Sequence, residues 1–111
     1  MNDFIILNKI KCLLMYSDKY VFNTFTKVNF SIKIRLENNL LENCIRANIN
    51  KGNIRNKYQN EMLVSINLLD FYIGEAIDKK IIKKNRFSSF VNAINEIRKM
   101  TISWSNYEEK V

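Results

Sequence analysis

The chain has 111 residues, enough for one domain spanning 1–111 with a real core and no need of disulfide support. It has no proline and only two glycines, which argues against hairpin-rich all-β folds and fits long helices joined by short polar turns. The formal net charge is +7 with a pI near 9.5. A balance this basic favours polyanionic partners (nucleic acid, an acidic protein surface or anionic lipid), the plain alternative being charge that serves solubility alone.

The first segment, 2–16, places Ile6, Ile10, Leu13 and Leu14 at helical spacing, with Phe4, Ile5 and Leu7 beside them. Asn8, Lys9 and Lys11 interrupt the apolar run, so neither a membrane span nor a signal segment is expected, and the protein reads as cytoplasmic. Ser17-Asp18-Lys19 is expected to form the first turn.

The second helix is expected over 20–49, with a short extended lead-in near 22–34 as an option. Phe25, Val28, Ile32, Leu36, Leu40, Cys44 and Ala47 make one stripe, and Phe30, Ile34, Leu41 and Ile45 make another. Ser31, Arg35, Asn38 and Glu42 form the consistently polar strip. A helix apolar over so much of its circumference should be covered on more than one side, by its own bundle or by another subunit.

Residues 48–53 read as the clearest turn, with Gly52 suited to the left-handed conformation that ends a helix. The third helix is expected over 54–78. Tyr58, Met62, Ile66, Leu69, Ile73 and Ala76 form its core face, widened by Leu63, Leu68, Phe71 and Tyr72. A basic turn follows at 78–86, in which Ile81 and Ile82 anchor the backbone while the cations project.

The most regular stretch is 83–106. Phe87, Phe90, Ile94, Ile97, Thr101 and Trp104 alternate steps of three and four, the seam of a helix held against partners for several turns. Trp104 is expected to close one end of the core, against the start of the first helix or the end of the second. Residues 107–111 read as a frayed polar tail. The fold expected is all-α, an up-down-up-down four-helix bundle.

No catalytic constellation can be assembled from these residues. Histidine is absent, so the Glu-x-x-His pattern of di-iron bundles is missing, and the carboxylates Glu37, Glu42, Glu61, Asp70, Glu75 and Glu96 are scattered. Cys12 and Cys44 lie within apolar helical faces and read as small hydrophobes. The chain is therefore read as non-enzymatic, with no cofactor and no metal. Cations are more informative. Lys27, Lys33, Arg35 and Arg46 lie on the second helix, and Lys51, Arg55 and Lys57 surround the second turn. The strongest candidates for phosphate contact are Lys79, Lys80, Lys83, Lys84 and Arg86, with Arg98 and Lys99 further along the fourth helix.

Three runs carry a resemblance: A-x-D-K-K-I-I at 76–82, R-F-x-x-F at 86–90, and I-x-E-I-x-K-M-x-x-x-W at 94–104. Together with Ile66, Leu69, Ile73 and the Ala47-Asn48…Asn50-Lys51 stretch, they resemble the accessory variability determinant family of diversity-generating retroelements. That family is related to the four-helix bundle proteins of ribosomal-RNA intervening sequences. Ile102-Ser103 stands where the family usually has a glycine pair, and Lys83 where a small hydroxyl commonly caps the last helix. The resemblance implies a pentameric, barrel-shaped homo-oligomer that binds the element's reverse transcriptase and its RNA, with DNA as a further ligand. It also implies no catalytic activity of its own. The competing reading is a standalone bundle that acts as a structural or protein-interaction adaptor.

Overall fold

The computed structural model describes the backbone of residues 3–20, 27–78 and 84–109, and the side chains of 5–16, 31–74 and 88–107. These residues form four helices: α1 (Asp3–Tyr20), α2 (Lys27–Ile49), α3 (Gly52–Asp78) and α4 (Lys84–Glu109). Helix α1 packs on α2 and α4, and α3 packs on α2 and α4, so the four close a ring.

Polar ties give the directions. Asp70 and Asn56 of α3 meet Arg98 and Ser105 of α4, so these helices are antiparallel. Lys9 on α1 meets Glu96 of α4, and Tyr16 of α1 borders the same cavity as Ser89, so that pair is antiparallel too. A two-residue link reverses the chain between α2 and α3. The arrangement is the antiparallel, nearest-neighbour order of a four-helix bundle.

The core follows the apolar stripes. Ile6, Ile10 and Leu13 come from α1, Leu36, Leu40, Cys44 and Ala47 from α2, Met62, Ile66, Leu69 and Ile73 from α3, and all are buried. The α4 seam supplies Phe90, Ile94, Ile97, Thr101 and Trp104, again buried, and the Thr101 hydroxyl donates to the Ile97 carbonyl at 2.8 Å. That internal bond lets a hydroxyl sit in the core at little cost.

Several expectations need correction. Ser17, Asp18 and Lys19 are not a turn but continue α1. Without glycine or proline in that stretch, nothing breaks the helix there. Helix α2 begins at Lys27 and Tyr20 still belongs to α1, so the optional extended lead-in near 22–34 is helix over 27–34, while 22–26 lie outside the described residues. Helix α3 starts at Gly52 and α4 runs on to Glu109, through part of the expected tail. On α3, Leu68 and Phe71 do not widen the core face: they are 40% and 59% exposed. Cys12 is exposed, whereas Cys44 is fully buried.

The largest departure is polar. Lys33, Glu37 and Gln59 are buried, at 1%, 2% and 0% exposure. The Lys33 ammonium stands 5.0 Å from the centroid of the Phe90 ring. Desolvation pulls its pKa from 10.5 down to about 7, opposed by the Glu37 carboxylate one helical turn away. Between those two values the unfolded chain holds more protons than the folded one, so this group makes stability rise with pH.

Two measurements follow. Chemical denaturation of Trp104→Ala should show a loss of about 3–5 kcal/mol, as expected for a fully buried large aromatic ring. For Lys33→Met, the rise of stability between pH 7 and pH 10.5 should be smaller than in the parent chain. Equal pH slopes in the two proteins would mean that Lys33 does not titrate in this range.

Candidate nucleic-acid interface

The cations named from the sequence fall into three groups. Lys79, Lys80 and Lys83 lie outside the described residues. Lys84 and Arg86 belong to the first turn of α4, where no acidic residue occurs, and their side chains are outside the described set. Cations at a helix N-terminus oppose the helix dipole, so an anion bound there would relieve an unfavourable field.

Arg98 and Lys99 are described fully and behave differently. The Arg98 guanidinium is half-buried and donates to Asp70 on α3, to Asn95 on its own helix and, at 3.4 Å, to Asn67. Its charge ties α4 to α3. Lys99, one residue on and therefore about 100° around the helix, is exposed. The structure does not bring these two together on one surface.

Two other cations move inward. Lys33 belongs to the core, so it adds nothing to a surface patch. Arg55 is 9% exposed, and its Nε donates to the carbonyls of Ala47 at 2.8 Å and Asn50 at 2.7 Å. A further bond runs from Nη2 to the Asn48 carbonyl at 3.3 Å. The same guanidinium lies 5.3 Å from the centroid of the Trp104 ring. It is a structural clamp.

What remains on the α2–α3 tip is Arg46, Lys51 and Lys57, all exposed. Arg46 is held by two bonds to the Glu42 carboxylate, at 3.1 and 2.7 Å, and that partner, together with Tyr58, raises its pKa. Arg46 and Lys57 stand 5.8 and 6.0 Å from the centroid of the Tyr58 ring. Sequence reasoning noted the cations at this turn without weighting them. The signal that would have raised them is the lack of any carboxylate from Asn43 to Asn60.

Two concave surfaces complete the inventory. A cavity of about 270 Å³ between α1 and α4 is lined by Cys12, Leu13, Tyr16 and Ala93, with the Lys9–Glu96 pair at 3.0 Å on its rim. A shallow groove of about 460 Å³ runs along α2, where Leu41, Ile45 and Ile49 stand among Asn38, Glu42 and Arg46. Among the described residues no three His, Cys, Asp or Glu side chains gather as a metal site, and no helix is long and apolar enough to cross a membrane.

No protein-family model, curated protein or solved structure matches this chain.

The engagement of Arg98 gives a direct test of which cations meet phosphate. In oligonucleotide binding over a salt series, Lys99→Gln should reduce the salt dependence more than Arg98→Gln does, because Asp70 already neutralises Arg98. Arg98→Gln should instead lower stability, by roughly 1 kcal/mol, because the half-buried pair with Asp70 is lost.

Proposed function

We propose that this protein is a non-catalytic accessory factor of a diversity-generating retroelement, binding the element's reverse transcriptase and its template RNA to support mutagenic complementary-DNA synthesis. The reading is carried by the resemblance over 76–104, whose apolar members Phe90, Ile94, Ile97 and Trp104 pack in the bundle interior. A surplus of seven positive charges supplies attraction for RNA, and for DNA as a second polyanion. The chemistry belongs to the polymerase: this chain has no histidine, the commonest general base. The factor acts in the cytoplasm.

The α2 flank supports self-association. Ile45 and Ile49 are 45% and 76% exposed beside Leu41, on the helix whose second apolar stripe the bundle leaves partly uncovered. A cyclic homo-oligomer would cover it, and the resemblance favours five copies. A second reading, a standalone adaptor that binds only protein, draws support from Arg98, whose charge is satisfied within the bundle.

Light scattering at micromolar concentration should give five times the 13.2 kDa protomer mass. A protomer mass would favour the adaptor. The protein co-expressed with the element's reverse transcriptase should co-purify with it. In filter binding, RNA affinity should fall steeply with salt, and replacing Lys79, Lys80, Lys83 and Lys84 by Gln should flatten that fall. No RNA binding at low salt would overturn the accessory reading.

A further inference from the structure

The α2–α3 tip combines exposed cations, a partly buried aromatic ring and exposed apolar side chains. From Asn43 to Asn60 the chain carries Arg46, Lys51, Arg55 and Lys57 with no carboxylate. Arg55 is buried as a clamp, which holds the turn in one conformation and leaves Lys51 and Lys57 projecting from a fixed backbone. Tyr58 is half-buried, with a cation on Arg46 and another on Lys57 within 6.0 Å of its ring centroid. Ile49 and Ile54, on either side of the turn, are 76% and 56% exposed. Phosphate-seeking charge, a partly open aromatic ring and exposed apolar side chains thus share one rigid surface.

We propose that this tip is a binding site for single-stranded nucleic acid, with Lys51 and Lys57 on backbone phosphates and Tyr58, Ile49 and Ile54 against base faces. The site shares its ligand class with the proposed function but none of its residues. A flexible single strand fits better than a duplex, because only unpaired bases can turn their faces to a ring and two isoleucines. Arg46, whose charge Glu42 already engages, flanks the ring and is not a phosphate ligand.

An anionic lipid surface is the other partner that lysines and isoleucines suit. The amides of this turn count against it. Asn48, Asn50 and Asn53 sit among the isoleucines, and inserting Ile49 and Ile54 into acyl chains would carry those amides out of water, at several kcal/mol for each group left without a hydrogen bond. Against a nucleic-acid strand the same amides face sugar hydroxyls and base edges, which both donate and accept.

The experiment is fluorescence anisotropy with labelled oligo-uridylate and oligo-thymidylate strands of about 20 nucleotides, and a duplex of equal length, across a salt series. Lys51→Gln/Lys57→Gln should lower the slope of log affinity against log salt by roughly 1.4, two phosphates at about 0.7 each. Tyr58→Leu should weaken single-strand binding about fivefold or more with the slope unchanged, and Tyr58→Phe should restore it. Circular dichroism melts confirm folding, and the exposed lysine pair keeps the test valid should Tyr58→Leu unfold.

If the lysine pair is silent while the Lys79, Lys80, Lys83 and Lys84 replacement abolishes binding, this site is overturned and the proposed function stands. If the lysine pair and the Tyr58 variants act as described while that replacement is silent, this site stands and the other assignment fails. Equal affinity for duplex with Tyr58→Leu silent would overturn it, as would co-sedimentation with phosphatidylserine/phosphatidylcholine vesicles without strand binding.

Discussion

One guanidinium fixes the geometry on which the rest of the bundle depends. A helix that ends in protein leaves its last carbonyls without partners, and burying them unpaired is costly. Here Arg55, from the first turns of α3, donates to the carbonyls of Ala47, Asn48 and Asn50 at the end of α2. Gly52, at φ of 63°, makes the reversal that brings α3 back, and a Cβ there would meet nothing within 4 Å. The requirement for glycine is therefore one of backbone conformation and not of space. Trp104 then lies against the same guanidinium, so α2, α3 and α4 meet at one point. From that point the buried rows step away along each helix, through Cys44, Leu40 and Leu36 on α2 and Gln59, Met62 and Ile66 on α3.

That dependence explains what could be read from sequence. The α4 seam was legible because six positions alternate three and four residues apart, and the five whose side chains are described are buried. Boundaries were harder to place, since a chain without proline gives no stop signal and polar helix resembles turn. Residues 17–19 show this. Lys33 and Glu37 were hidden by their chemistry, though not by their position. They continue the row of Leu40, Cys44 and Ala47 at steps of four and three, just as Gln59 sits between Arg55 and Met62 on α3. Spacing pointed inward while residue type pointed outward, and spacing prevailed.

Buried polar positions can restrict register without adding stability. Replacing a buried ion pair with well-packed apolar side chains is often neutral or stabilising, whereas removing one partner is strongly unfavourable. Lys33 and Glu37 lie on one face of α2, with the Lys33 ammonium over Phe90 of α4. Sliding α2 by a turn would take that ammonium off its ring and move the buried polar pair along the core. An all-aliphatic core would discriminate less between such registers.

The same partition of charge shapes the surface. Along the bundle, Lys9 pairs with Glu96 and Arg98 with Asp70, while at the tip Arg46 pairs with Glu42. Lys51 and Lys57 stand exposed at the α2–α3 tip, while Lys84 and Arg86 open α4 at the other end of a molecule 45 Å long. A handful of phosphate contacts gives weak, salt-sensitive binding. A cyclic assembly whose axis runs along the bundle would change this, because rotation places like ends in one ring. Every weak contact would then be repeated within reach of a single strand, and tethered contacts multiply in effect without any new interaction. In such an assembly the apolar flank of α2 would gather copies of the cations at the helix ends.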